Sequence, residues 1–306
     1  AEVEHNLGQI SDRQYEDVLL NCCPGAGSCS GLFTANSLAC LAEALGIALP
    51  GMATAHATDT KKIRLATQTG RQIMKMIADG ITMEDILTED AFYNAFVVDM
   101  AIGASSNTVL HVPAVAEQAG YTFDLNRINE ISYNTPNILR ISPASDQHMS
   151  DFEMAGGVPV VMKRLRDKLK TKGVMTISGP LEERLDKTYD NGDTTVIKSP
   201  DKPYSLQGGL VIYHGNLAPE GAVIKESGIA EGVPDIFKGT AVVFDDEQSC
   251  TKYINAGKVK KGDVIIIRYE GPAGSPGMPE MLYPTSSISK QKADDDVTMD
   301  HYVALL

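Results

Sequence analysis

Apolar and polar positions follow two different rhythms along the chain. Up to about residue 195 the apolar residues recur at helical spacing. Residues 11–22 predict a short helix with Ser11 as its N-cap. Thr34 to Leu45 predicts another, with Leu38, Leu41, Ala42 and Leu45 on one face and Gly46 as the stop. Residues 60–79 and 88–102 read the same way; Thr88 caps the second, and Phe92, Ala95, Phe96 and Met100 line one side. Two more helices are expected at 107–119 and 158–170, each after a small polar or glycine-rich stretch, SSN at 105–107 and AGG at 155–157. Gly156 and Gly157 there would let a helix begin close to a neighbouring element. Beyond residue 195 the rhythm shortens. LVIYHG (210–215), AVIKES (222–227), TAVVFD (240–245) and DVIIIRYEG (263–271) are β-rich runs separated by Gly- and Pro-bearing turns. The expected fold is a helix-rich α/β part of three-layer type over 1–195, then a compact all-β, barrel-like domain over 196–306. QKADDDVTMD (291–300) reads as a solvated loop.

Composition narrows the function. Hydrophobic residues are 43% and charged residues 22%, a globular balance. Forty Asp and Glu against 27 Lys and Arg give a net charge of −13, which argues against nucleic acid or an anionic membrane as the main partner. No apolar run is long enough to span a bilayer, and AEVEHNLGQISDRQYEDVLL has neither the basic start nor the apolar centre of a signal peptide. Five cysteines, an odd number unevenly clustered, read better as reduced thiols of a cytoplasm-like compartment than as a disulfide framework.

Three of those cysteines, Cys22, Cys23 and Cys29, share the loop CCPGAGSCSG at 22–31. Cys29 sits in a glycine-bordered turn just before the helix expected at Thr34. A helix N-terminus offers unpaired N–H groups and the positive end of the dipole, both of which favour a thiolate. The loop could hold an iron–sulfur cluster, a metal or an anion. It could also carry a nucleophilic cysteine served by His56 or His111, or be a buried turn with inert thiols. A phosphate loop fails because Leu32, not Lys, follows Gly31; a dinucleotide fingerprint fails because Ser30 stands where a glycine is needed. The cysteine spacing lacks the paired pattern of a structural zinc site. Ser105, Ser106 and Asn107 either cap the helix they precede or meet a substrate carboxylate at its N-terminus.

The wording of the loop says more than its spacing. PGAGSCSGLFTANSLACLAEALGIALPG resembles the cluster-binding segment of the dihydroxy-acid dehydratase/phosphogluconate dehydratase family. DILTEDAFYNAFVVDMAIGASSNTVLH (85–111), SDFEMAGGVPVVMKRL (150–165), GGLVIYHGNLAPEGAVIKESGI (208–229) and VIIIRYEGPAGSPGMPEMLYPTS (264–286) resemble later segments in the same order.

The resemblance implies a hydro-lyase that turns a 2,3-dihydroxy acid into a 2-keto acid, with 2,3-dihydroxy-3-methylbutanoate to 3-methyl-2-oxobutanoate, in branched-chain amino acid synthesis, as the expected case. A sugar-acid dehydratase acting on an aldonate or 6-phosphogluconate is the alternative, and a non-catalytic fragment that binds a small acid is another. It also implies an iron–sulfur cluster, 2Fe–2S or 4Fe–4S, acting as Lewis acid on the leaving hydroxyl, and a Mg²⁺ ion on the carboxylate. Cys29 matches a cluster cysteine and Glu280, in PGMPEML, the Mg²⁺-binding glutamate. The family's Cys-Asp-Lys motif and other cluster cysteines would precede residue 1, and its serine base would follow Leu306. The chain therefore reads as a central fragment, inactive by itself. A homodimer or dimer of dimers in the cytoplasm, or in a plastid or mitochondrion of a eukaryote, completes the implied picture.

Overall fold

The computed structural model describes residues 1–22, 29–229, 233, 236–271, 281–291 and 304–305. The chain divides into two compact units, residues 26–230 and residues 1–25 with 231–306. Helices α1 (Glu2–Asn6) and α2 (Asp12–Asn21) open the chain and belong to the smaller unit. Ser11 caps α2 as expected, in a reciprocal capping box with Gln14.

The larger unit runs α3 (Thr34–Ala44), α4 (Thr60–Asp79), α5 (Met83–Ile86), α6 (Glu89–Ile102), α7 (Thr108–Gln118) and α8 (Leu125–Tyr133). It continues with α9 (Met149–Met154), α10 (Gly157–Arg164), the hairpin β1 (Met175–Thr176)–β2 (Gly179–Pro180), α11 (Leu181–Lys187) and the hairpin β3 (Val211–Tyr213)–β4 (Ala222–Ile224). Helix α6 is its axis. The sequence predicted one apolar side, but every residue from Ala91 to Ile102 except Tyr93 is buried. The run AFVVDMAI has no polar face to offer water, so α3, α7, α8 and α10 pack around it. Phe96 stacks obliquely on Phe123 at 5.1 Å between ring centres. Polar groups within α6 must find partners inside. Asn94 does so by exchanging two 2.7 Å bonds with the backbone of Lys170. Helix α10 is shorter than expected. Its last residue, Arg164, forks onto Asp190 at 2.7 and 2.8 Å, and the chain tightens into a 3₁₀ turn at Arg166–Lys168.

The smaller unit adds β5 (Thr240–Phe244), α12 (Glu247–Asn255), β6 (Asp263–Ile267), α13 (Leu282–Lys290) and β7 (Ala304–Leu305). All four expected β-runs form strands, but not an all-β domain. β5 and β6 pair in parallel from Thr240↔Asp263 to Phe244↔Ile267, and β7 joins β6 in parallel. Parallel neighbours need a crossover, and α12 supplies it. Asp246 caps α12 through Ser249, while Cys250 and Ile254 turn inward. Among the described residues the sheets hold two, two and three strands and none closes into a barrel. No helix of the described residues is long and apolar enough to cross a membrane.

Candidate functional site

The turn at Cys29 is built from its own neighbours. Asn36, buried in the first turn of α3, donates from Nδ2 to the carbonyls of Cys29 and Gly31, both at 2.7 Å. The Gly31 N–H points back at the Cys29 sulfur at 3.5 Å. A second segment closes on the turn: Leu32 N–H donates to the Ser142 carbonyl at 2.8 Å and Met149 N–H to the Ser30 carbonyl at 2.7 Å. Position 31 requires glycine, because a Cβ there would lie 2.5 Å from the Phe33 ring and 2.7 Å from the Ser142 carbonyl oxygen. The outcome is an exposed thiol on a fixed backbone. The inert-thiol reading fits Cys40 instead, which is fully buried in α3 and whose thiol is pushed up by burial and by the nearby Glu43 and Asp99 carboxyls. No histidine is hydrogen-bonded to Cys29 among the described residues; His56 is exposed and His111 half-buried along α7.

The Ser105–Asn107 turn reaches the same end of α3. Asn107 Nδ2 donates to Thr34 Oγ1 at 2.7 Å, the Ser105 and Thr34 hydroxyls are 3.3 Å apart, and Ser105 N–H donates to Ser37 Oγ at 2.9 Å. Two predicted sets thus meet: Asn36 holds Cys29, and Thr34 and Ser37, on the same helical turn, hold Ser105 and Asn107. Asn107 stands at the N-cap of α7 but makes no side-chain cap bond; its backbone there is helical, φ −63° and ψ −22°, not the extended form that capping uses. The Ser106 side chain, half-buried, has no hydrogen bond within the described residues.

Beneath this turn lies a buried carboxyl that spacing did not reveal. Asp99, fully buried in α6, accepts the Thr108 hydroxyl on Oδ2 at 2.8 Å, while its Oδ1 has no hydrogen-bond partner. Burial pushes its carboxyl up to about 7, against the pull of the Thr108 hydroxyl and the Lys225 charge. Burial brings Lys225 down to about 8, with Asp99 opposing. The only forewarning in the sequence is a single acid inside the apolar run FVVDMAI. The α6–α7 turn also needs a bare backbone: Gly103 has φ +58°, and a Cβ on it would lie 2.5 Å from Ser227 Oγ.

Glu280 lies outside the described residues. Tyr269 is 78% exposed with φ +66°, and Glu270 accepts the Glu247 N–H at 3.0 Å at the start of α12. No three His, Cys, Asp or Glu side chains of the described residues stand together as a metal site. Cys29 offers one donor, so the described residues do not by themselves make a complete cluster or Mg²⁺ site.

Comparison with known proteins places this geometry in context. The N-terminal model of the dihydroxy-acid/6-phosphogluconate dehydratases matches residues 1–184 and the C-terminal model residues 195–299. The dihydroxy-acid dehydratase of Carboxydothermus hydrogenoformans is 46% identical over 295 residues, which are 95% of this chain and 53% of that protein. Those of Dehalococcoides mccartyi and Methanococcoides burtonii are 45% and 43% identical over 95% of the chain. The chain spans about half the length of these curated relatives. It belongs to the dihydroxy-acid/6-phosphogluconate dehydratase family.

Proposed function

We propose that this chain supplies the cluster-facing half of a hydro-lyase that dehydrates a 2,3-dihydroxy carboxylic acid to a 2-keto acid. The preferred substrate is 2,3-dihydroxy-3-methylbutanoate, the branched-chain precursor. The reading is supported by one observation above the rest: the exposed Cys29 thiol and the Ser105–Asn107 turn are both anchored to the first turn of α3. A cluster bound at Cys29 would supply Lewis acidity toward the leaving hydroxyl. The chain's own residues would do the rest of the positioning. Asn36 fixes the backbone that carries the thiol, and the α7 N-terminus presents N–H and hydroxyl groups to a carboxylate. Glu280 is the proposed Mg²⁺ ligand on grounds of resemblance alone. A division of the chain near residue 195 is supported by the two family segments that meet there. Homodimer assembly in a cytoplasmic compartment goes with the same reading.

The complete polypeptide that carries these residues, expressed without oxygen, tests the proposal. Iron and sulfide bound to the protein, together with turnover of 2,3-dihydroxy-3-methylbutanoate faster than of gluconate or 6-phosphogluconate, is the expected result. Cys29→Ser loses the bound iron. Turnover confined to the sugar acids shifts the substrate class, and full iron content in Cys29→Ser ends the assignment of that thiol.

A further inference from the structure

A carboxylate is an expensive occupant of the centre of an apolar helix. Leucine at position 99 would bury cleanly among Phe96, Met100 and Ile102, whereas a buried carboxyl with one unpartnered oxygen costs free energy. Two of its hydrogen bonds concern one short segment. The Asp99 side chain accepts the hydroxyl of Thr108, the first residue of α7. The Asp99 main-chain carbonyl accepts the Ala104 N–H at 3.3 Å. The same residue therefore grips the α6–α7 turn on both sides of Ser105, Ser106 and Asn107. Thr108 Oγ1 is also 2.7 Å from the Ser105 carbonyl, and its single proton serves either that carbonyl or Asp99, so Asp99 and the backbone of the turn share one hydroxyl. Asn107 gives its helix no side-chain cap, and this shared hydroxyl stands in its place.

A second segment braces the arrangement from the opposite side. Gly209 N–H donates to the Met100 carbonyl at 2.8 Å, and Ser227 N–H to the Gly209 carbonyl at 3.1 Å.

We infer that Asp99 is a positioning residue: through the Thr108 hydroxyl it holds the Ser105–Asn107 turn in the shape that a substrate carboxylate meets. Asp99 itself touches no substrate. The assignment of a carboxylate to that turn rests on the proposed dehydratase reading; the mechanical link from Asp99 to the turn does not.

Two measurements on the complete protein separate these. Thr108→Val removes the hydroxyl and keeps the shape, and Thr108→Ser keeps the hydroxyl. In steady-state kinetics with the dihydroxy acid, Thr108→Val is expected to raise KM about tenfold, the worth of one well-placed hydrogen bond, with kcat changed by less than about threefold and bound iron unchanged. Thr108→Ser keeps KM within about twofold of the parent. Amide hydrogen exchange over residues 104–109 is faster in Thr108→Val and unchanged in Thr108→Ser, whatever the substrate. Where valine prevents folding, Thr108→Ala adds no buried bulk and serves in its place. Equal effects of valine and serine, an unchanged exchange rate in the valine protein, or loss of iron together with kcat overturns the inference. Parent protein without dehydratase turnover defeats the functional reading instead, and the exchange measurement then decides the mechanical link alone.

Discussion

The two ends of helix α3 show how one helix serves two purposes. Its C-terminal end is closed. Cys40 is sealed in the core, and Glu43, also fully buried, accepts the Gly51 and Ala53 N–H groups at 2.7 and 3.2 Å on its two oxygens. Burial pushes the Glu43 carboxyl up, while those N–H groups and the Arg184 and Lys61 charges pull it back. Its N-terminal end is open. There Thr34, Asn36 and Ser37 spend their hydrogen bonds on two turns that present an exposed thiol and a half-buried serine. Polar groups that satisfy backbone donors inside the fold act as structure; polar groups that arrange other polar groups at the surface make a site.

Removing Glu43 tests the closed end and has the largest expected effect. Glu43→Ala leaves two backbone donors and the half-buried Arg184 uncompensated, so urea unfolding is expected to lose about 3–5 kcal/mol. Asp99, fully buried in α6, gives a pH signature of comparable size. Its folded-state value of about 7 lies above the usual carboxyl range, so the native state holds the proton more tightly than the unfolded chain. The stability this confers is complete below about pH 4 and is lost as pH rises toward 7, by on the order of 4 kcal/mol. Asp99→Asn should lack that slope when parent and variant are unfolded in urea at several values between those limits; parallel curves would contradict it.

At the open end the effects are smaller. Gly31→Ala forces a Cβ onto the Phe33 ring and the Ser142 carbonyl and is expected to cost about 1–3 kcal/mol. Asn36→Ala frees the Cys29 and Gly31 carbonyls for about 1–2 kcal/mol. A loss in Asn36→Ala as large as that in Glu43→Ala would erase the contrast between the two ends. Thiol labelling sharpens it without mutation. Cys29 should react with iodoacetamide in the folded protein stripped of iron, and Cys40 at least ~1,000-fold more slowly, through unfolding alone. Mass mapping of the labelled peptides reads both.

Much of this was legible in the residues. Ser11, Thr88 and Gly46 mark helix boundaries by chemistry that works locally, and the four β-runs declare themselves by composition. The mistake over the C-terminal part has a local cause. EQSCTKYIN is short and mostly polar, and only Cys250 and Ile254 turn it inward, so periodicity does not separate it from a loop, and without α12 the strands look like a barrel. Cys29 and the Ser105–Asn107 turn could be singled out because glycine and small polar residues cluster there. Thr34, Asn36 and Asp99 could not be given roles, since each acquires its partner through tertiary proximity. Asp99 nevertheless left a trace, as the one acid in an otherwise apolar stretch of α6.

One close approach has a wider consequence. A Cβ on Gly209 would lie 2.5 Å from the Gly103 Cα, so two stretches of main chain more than a hundred positions apart meet with no side chain between them. The Ser227 side chain lies beside this crossing but does not separate the two backbones. A carbon added at Gly209 must slide one stretch of peptide relative to the other, and the slide is delivered straight to the α6–α7 turn. The spacing of that turn is thus gauged against bare peptide, a ruler that rotamer adjustment and drift in neighbouring side chains leave unaltered.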